Sequence, residues 1–226
     1  MWPWGSGIGS WARWSSSEGK IASVASRRTW GELLRGAHER SGSEPGQTAP
    51  GLGIRNDAII PAGPFTELAT FDILPFSNLV AIVSDLPRDQ FKEILENAVS
   101  RVEAVDGRFA QIAGFRFTWD PSGTAQILDE TFAVTTPGTR IVDVELGDGT
   151  VVVQDGTVVT GAGIHVAPID FSARGGDQYP FRGVPFTSVG VSYQQALRNY
   201  IVDGLGGSIT AAHYPEGGED RIVRTP

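Results

Sequence analysis

Apolar residues recur along this chain at two spacings, and these spacings predict where its strands and helices lie. The run Asn78-Leu-Val-Ala-Ile-Val83 is short, apolar and rich in β-branched residues, which is typical of a buried strand. After Pro87 the spacing becomes i, i+3, i+4, i+7, i+8, which predicts a helix with one face on a core. The apolar positions of that helix are Phe91, Ile94, Leu95, Ala98, Val99 and Val102.

The second half of the chain is dominated by short strand patterns. Further strands are predicted over residues 114–119, 140–146, 150–153, 157–160 and 164–167. Gly147-Asp148-Gly149 separates two of them and is a strong hairpin turn signal. Ser192, with Gln195 three residues later, predicts the start of a second helix, which ends at Gly204. Strands in clusters with two main helices between them predict an α+β fold with mixed sheets.

The first 50 residues have a different composition from the rest of the chain. They hold five of the six tryptophans, and Ser and Gly occupy 17 of the 50 positions. No apolar stripe is sustained there, so the segment lacks the material for a core of its own. We therefore expect residues 1–50 to be a disordered or non-native leader and residues 51–226 to form one domain.

Composition excludes several classes of function. The net charge of −8 argues against binding to nucleic acid, because phosphate backbones attract clustered Lys and Arg. No apolar run approaches the roughly 18 residues needed to span a bilayer, so no membrane partner is expected. The absence of cysteine excludes disulfides and thiolate chemistry.

The residues do not suggest a catalytic centre. The three histidines, His38, His165 and His213, show none of the paired spacings typical of metal sites. Neither a nucleophile elbow nor a phosphate-binding P-loop is present. The sequence therefore predicts no catalytic residue and no metal ligand.

Candidate binding residues are easier to find. Asp170-Phe171 is followed by Arg174-Gly-Gly-Asp-Gln-Tyr179, where two glycines would allow close backbone approach and Asp177 could accept hydrogen bonds from a diol. An ordinary glycine turn with Phe171 in the core is the alternative. Phe76, in a Pro-Phe corner, could likewise be a packing residue. Arg55, after a glycine, suits a phosphate but could be a plain surface residue.

Taken together, these segments closely resemble the C-terminal domain of 5'-nucleotidases, a family that also includes UDP-sugar hydrolases and periplasmic cyclic-nucleotide phosphodiesterases. The resemblance runs from about Gly51 to the end of the chain. It is carried by five motifs in the family's order: Gly-Ile-Arg (53–55), Leu-Pro-Phe-Ser-Asn (74–78), Leu-Glu-Asn-Ala-Val-Ser (95–100), Gly-Arg-Phe-Ala-Gln-Ile-Ala-Gly-Phe-Arg-Phe (107–117) and Asp-Phe-Ser-Ala-Arg-Gly-Gly-Asp-Gln-Tyr (170–179).

The resemblance implies a role for four residues. It implies that a nucleotide or nucleoside base lies between Phe76 and Phe171, that Asp177 binds the ribose hydroxyls, and that Arg55 helps to hold the phosphate. It also implies that the chemistry belongs to a separate N-terminal metallophosphatase domain with two divalent metals. Members of the family are typically periplasmic, secreted or at the cell surface, although residues 1–19 show no export signal.

Three departures from the family pattern leave an alternative open. The segment Pro50-Gly-Leu-Gly-Ile-Arg55 lacks the asparagine that usually precedes the glycines, the family's further upstream arginine has no match, and the metallophosphatase motifs are missing. A frameshift just before Gly51 would explain all three. The alternative function is therefore a non-enzymatic, truncated or frameshifted remnant that acts at most as an interaction module.

Overall fold

The computed structural model describes residues 63–104, 106–210 and 220–226, together with the backbone of residues 21–26. In these parts of the chain, no helix is both long and apolar enough to cross a membrane. Two five-stranded sheets and a small two-stranded sheet make up the β structure of the described residues.

The first sheet has the strand order β11-β2-β10-β1-β3. Its strands are β1 (Ile21–Ser26), β2 (Leu79–Leu86), β3 (Ala110–Ala113), β10 (Ile164–Val166) and β11 (Phe186–Ser192). Strand β1 pairs in parallel with β10, with Ile21 opposite His165, and antiparallel with β3, with Ser23 opposite Ala113. Strand β2 pairs antiparallel with both β10 and β11.

The second sheet has the strand order β12-β4-β7-β8-β9. Its strands are β4 (Phe115–Trp119), β7 (Ile141–Leu146), β8 (Val151–Gln154), β9 (Thr157–Val158) and β12 (Ile222–Arg224). Strands β5 (Ile127–Leu128) and β6 (Val134–Thr136) form the two-stranded sheet. The predicted hairpin between β7 and β8 is confirmed, and Gly149 there has a φ of 85°, a left-handed conformation that favours glycine.

The helices differ in length and in how they begin. They are α1 (Glu67–Ile73), α2 (Arg88–Val99), α3 (Asp170–Ala173) and α4 (Tyr193–Asn199), and α4 continues through a wider turn over Tyr200–Gly204. At the start of α4 the Ser192 hydroxyl accepts a hydrogen bond from the Gln195 amide at 3.0 Å, as its capping pattern predicts. Helix α1, capped by Thr66, was not among the predicted elements.

Helix α2 anchors the main core between the two sheets. The apolar positions predicted from its spacing are buried as far as Val99, and Phe91 meets Phe115 edge to face with ring centroids 5.3 Å apart. Val102 is only partly buried, because the α-helix ends at Val99 and a short 3₁₀ turn, Val102–Ala104, follows. The α+β prediction is confirmed.

A smaller apolar cluster ties α1 and α4 to the start of α3. It comprises Ile73, Leu74, Ile169, Tyr193, Leu197 and Ile201. This packing fixes the chain on either side of Leu74 against the chain that enters α3, and those two segments carry two of the candidate binding residues.

The predicted leader lies mostly outside the described residues. Its described part is β1, which lies within the first sheet between β10 and β3. The division of the chain at residue 50 stays a prediction.

Candidate functional site

Hydrogen bonds join the two segments that carry the candidate phenylalanines. The Leu79 amide donates to Asp170 Oδ1 at 2.9 Å, and Val80 forms an isolated antiparallel bridge with Ile169. The Phe76 amide donates to the Tyr193 hydroxyl at 3.1 Å, which fixes the corner before β2. The chain that carries Phe76 therefore runs alongside the start of α3, the helix that carries Phe171.

Both phenylalanines lie at the surface of the protein. Phe76 is 40% exposed and Phe171 is 41% exposed, whereas Phe91 and Phe181 are fully buried in the main core. Neither Phe76 nor Phe171 is a member of the two apolar clusters. Large exposed aromatic rings on joined segments are typical of a binding surface, and their exposure argues against the alternative of a core-packing role.

The glycine pair after α3 brings two rings close to the backbone. A β-carbon at Gly176 would collide with the Phe171 ring, so that ring lies directly against the Gly176 backbone. A β-carbon at Gly175 would lie 3.0 Å from the Phe132 ring, and Gly175 has a φ of 96°. Glycine is thus required at position 175 by conformation and at position 176 by the close approach of Phe171.

Asp177 and Gln178 follow in an uncommon backbone conformation. Their φ values are 55° and 58°, and two consecutive left-handed residues other than glycine are rare. Asp177 is half-buried, and its Oδ2 atom is buried with no hydrogen-bond partner among the described residues. The carboxylate thus has an acceptor atom that no described group satisfies.

The electrostatic surroundings of Asp177 shift the pKa of its carboxyl upward. Burial raises the pKa of this carboxyl, the nearby Asp106 carboxylate raises it further, and the Arg108 guanidinium opposes both effects. A perturbed carboxyl beside exposed rings is typical of a functional site.

Sequence reasoning missed the side chains that hold this loop. The Asn97 amide donates to the Asp177 carbonyl at 3.1 Å, and Arg108 Nη1 donates to Gln178 Oε1 at 3.0 Å. Arg108 lies in the Gly-Arg-Phe motif, but nothing in the pattern assigned it a role. Asn97 lies next to the apolar stripe of α2 and is only 1% exposed, but the sequence carries no signal that distinguishes it from a polar residue that faces solvent.

The structure does not bring Arg55 or a metal-ligand cluster into this site among the residues it describes. Arg55 lies outside the described residues, so its role with phosphate stays a prediction. Among the residues that the structure describes, no three His, Asp or Glu side chains lie together as a metal site requires. His165 lies in β10, where its Nδ1 accepts a hydrogen bond from the Asp85 amide at 3.3 Å. The described residues of this chain therefore do not fit a two-metal centre.

Comparison with known proteins establishes the family. The model of the 5'-nucleotidase C-terminal domain matches residues 46–182, which is more than half of the chain. The chain belongs to this family. The residues that match the family model include Phe76, Phe171 and Asp177, together with Asn97 and Arg108.

Individual relatives of this 5'-nucleotidase C-terminal domain are much longer than the chain. The trifunctional nucleotide phosphoesterase protein YfkN of Bacillus subtilis (strain 168) is 32% identical over 151 residues, which is 65% of this chain and 9% of that protein. The chain therefore spans less than a tenth of this curated relative.

Two solved structures share the fold. The 5'-nucleotidase precursor from Thermus thermophilus superposes with a TM-score of 0.60 and 23% identity, over 97% of this chain and 36% of that one. The NAD nucleotidase NadN of Haemophilus influenzae superposes with a TM-score of 0.53 and 16% identity, over 95% of this chain and 33% of that one. Each solved relative contains further chain that this 5'-nucleotidase C-terminal domain does not match.

Proposed function

We propose that this chain binds the nucleotide or nucleoside part of the substrate of a 5'-nucleotidase-type phosphoesterase, a hydrolase of nucleotide catabolism. Family membership supports this proposal, as do the functions named for its relatives, a nucleotide phosphoesterase, a 5'-nucleotidase and an NAD nucleotidase. The observation that carries it is the combination of two exposed phenylalanines on joined segments with an unused carboxylate acceptor in the loop after α3.

In this proposal the base stacks between Phe76 and Phe171. Both residues are about two-fifths exposed, which leaves side-chain surface for a ligand. A planar base between two rings requires a ring separation of about 7 Å, twice a stacking distance. Stacking of this kind is worth roughly 1–3 kcal/mol per base and tolerates different bases, because every base has a π-face.

Asp177 accepts hydrogen bonds from the ribose hydroxyls. Its buried Oδ2 has no partner within the described residues, and leaving such an acceptor unsatisfied costs about 1–3 kcal/mol. A hydroxyl donor removes that cost and adds a bond to an ionised group. The ring of Phe171 lies against Gly176, one residue before Asp177, so base and ribose would be bound by neighbouring parts of the same loop.

The phosphate and the reaction complete the proposal. Arg55 would contribute to holding the phosphate, and hydrolysis would belong to a separate metallophosphatase domain, where two divalent metals would supply the activation of water. The ligand class for this chain is therefore a nucleotide or nucleoside, and its partner is that catalytic domain.

Calorimetric or NMR titration of the full chain with adenosine tests the proposal. Phe171→Ala is expected to weaken binding about 5- to 150-fold, the equivalent of one lost stacking contact. The matched control is Val223→Ala, because Val223 is equally exposed at 40% but lies on β12 in the second sheet. This control should bind like the parent.

Two results would contradict the proposal. A parent chain that binds neither adenosine nor AMP would favour the alternative of a remnant without a ligand. Equal binding by the parent and Phe171→Ala would exclude the base site between the two rings.

A further inference from the structure

Two buried amide side chains on α2 hold the segment that follows the glycine pair. Gln90 and Asn97 are seven residues apart and so lie on the same face of the helix. Gln90 Nε2 donates to the carbonyls of Pro180 and Phe181 at 2.9 and 3.0 Å. Asn97 Nδ2 donates to the carbonyl of Asp177 at 3.1 Å. The helix therefore contacts this segment at two separate points, and Asn97 contacts the residue that carries the candidate carboxylate.

Arg108 fixes the orientation of the Asn97 amide. Its Nη1 atom lies 3.3 Å from Asn97 Oδ1 and 3.0 Å from Gln178 Oε1, and its Nε donates to Asp106 Oδ1 at 3.2 Å. A guanidinium can only donate, so it must face the amide oxygen of Asn97. The amide nitrogen of Asn97 is thereby directed at the Asp177 carbonyl.

The loop needs such support because its backbone conformation is energetically unfavourable. A left-handed conformation costs an ordinary L-residue roughly 1–2 kcal/mol, and both Asp177 and Gln178 adopt it. Two turn hydrogen bonds, from Gln178 to Gly175 and from Tyr179 to Gly176, lie within the loop itself. The Tyr179 hydroxyl donates a further hydrogen bond to the Arg108 carbonyl at 2.7 Å, so Arg108 contacts both Gln178 and Tyr179 at the end of the loop.

We propose that Asn97, oriented by Arg108, is a positioning residue that sets the selectivity of this site for ligands with free ribose hydroxyls. Asn97 bonds the backbone carbonyl of Asp177, and Oδ2 of the Asp177 carboxylate has no hydrogen-bond partner among the described residues, so Asn97 acts through Asp177 and not on the ligand. The inference rests on the proposed function, because it requires Asp177 to accept the ribose hydroxyls.

The proposal separates Asn97 from Gln90. Both amides are nearly buried, both come from α2 and both donate to carbonyls of the same segment. Gln90, however, holds Pro180 and Phe181, which lie beyond the left-handed pair. Gln90→Ala is therefore the matched control for a role that is only structural.

The experiment compares adenosine with 2',3'-dideoxyadenosine, which keeps the base and lacks both hydroxyls. We expect the parent chain to bind adenosine about 10- to 100-fold more tightly, the effect of losing hydrogen bonds to a charged group. Asn97→Ala is expected to reduce this ratio at least about fivefold and to leave the affinity for dideoxyadenosine unchanged, since stacking is retained. Gln90→Ala is expected to lower the midpoint of unfolding and to keep the parent's ratio of adenosine affinity to dideoxyadenosine affinity.

The outcomes of this experiment distinguish the positioning role of Asn97 from the proposed function. Binding of dideoxyadenosine reports directly whether a variant is folded. If Asn97→Ala does not fold, Asn97→Asp is the second variant, because it keeps the side-chain shape and the acceptor for Arg108 but loses the amide donor. A parent ratio that persists in the folded Asn97 variant overturns the positioning role and leaves the proposed function intact. An equal loss of affinity for adenosine and dideoxyadenosine also overturns the positioning role. A parent that binds neither nucleoside, or that does not distinguish them, removes the Asp177 role on which the inference rests.

Discussion

Replacing Gly176 with alanine adds a single methyl group beneath the Phe171 ring. The new β-carbon would lie 2.5 Å from Cδ1 and Cζ of that ring, where ordinary van der Waals contact needs 3.4–4 Å. The ring therefore has to move by about 1 Å or turn to another rotamer. Gly176 is outside the left-handed region, so alanine can adopt its backbone conformation. The substitution thus displaces one exposed aromatic ring and changes little else.

The expected magnitudes follow from this geometry. Displacing the ring to an unfavourable rotamer costs about 0.5–1.5 kcal/mol, and the reduced freedom of alanine in the unfolded chain offsets roughly 0.4–1 kcal/mol of that. Stability should therefore change by about 1 kcal/mol or less. Loss of stacking on Phe171 should weaken adenosine binding about 5- to 150-fold.

A double-mutant cycle provides the assay. Adenosine affinity is measured for the parent, Gly176→Ala, Phe171→Ala and the double variant, with thermal unfolding of each. If the methyl group acts through the ring, Gly176→Ala has no further effect once the ring is gone. A full additional loss in the double variant would refute the reasoning, and so would parent-like binding by Gly176→Ala alone.

Three further predictions concern the half-buried Asp177 carboxyl and the buried Glu96 carboxyl. Because the pKa of Asp177 is raised, adenosine affinity should fall as pH is lowered through that raised pKa, beginning above the value of about 3.9 of an ordinary aspartate, whereas dideoxyadenosine affinity should not. The same shift means that the folded chain binds more protons at Asp177 than the unfolded chain, so Asp177→Asn should be more stable than the parent at neutral pH, and denaturation curves should show this advantage disappearing as pH falls. Glu96 is buried and accepts hydrogen bonds from the backbone amides of Arg140 and Ile141, both at 3.0 Å. Glu96→Ala should therefore lower the free energy of unfolding by about 3–5 kcal/mol, as measured by chemical denaturation. The partly exposed Glu145, paired with Arg116, is the control, and Glu145→Ala should cost at most about 1 kcal/mol. Equal losses of stability for the two variants would contradict the argument.

Local patterns predicted those parts of the fold whose causes are local. The apolar spacing correctly predicted α2, because the buried positions of a helix with one face on a core must recur about every 3.6 residues. Gly149 and Ser192 identify a turn and a helix start because the required conformation or cap resides in the residue itself. Helix α1 was missed because it is short and leaves Leu68 and Phe71 exposed, so its pattern shows no clear apolar face.

The candidate site was predicted only in part, for a physical reason. The family motifs identified Phe76, Phe171 and Asp177, and the structure places both rings at the surface. The support beneath Asp177 could not be predicted, because Asn97 is 80 positions away in sequence and a polar residue beside an apolar stripe ordinarily faces solvent. The pKa of Asp177 likewise depends on Asp106 and Arg108, which are brought near it by the fold.

The strand order of the first sheet has a practical consequence for anyone who expresses part of this chain. A fragment cut to the family match, residues 46–182, would lack β1 and β11. Of the order β11-β2-β10-β1-β3, only the β2–β10 pair would remain joined, and a two-stranded ribbon is marginally stable at best. Its newly open edges would also invite pairing between copies. Recombinant fragments should therefore begin before Ile21 and extend beyond Ser192, so that the boundary follows the hydrogen-bonded sheet and not the extent of sequence similarity.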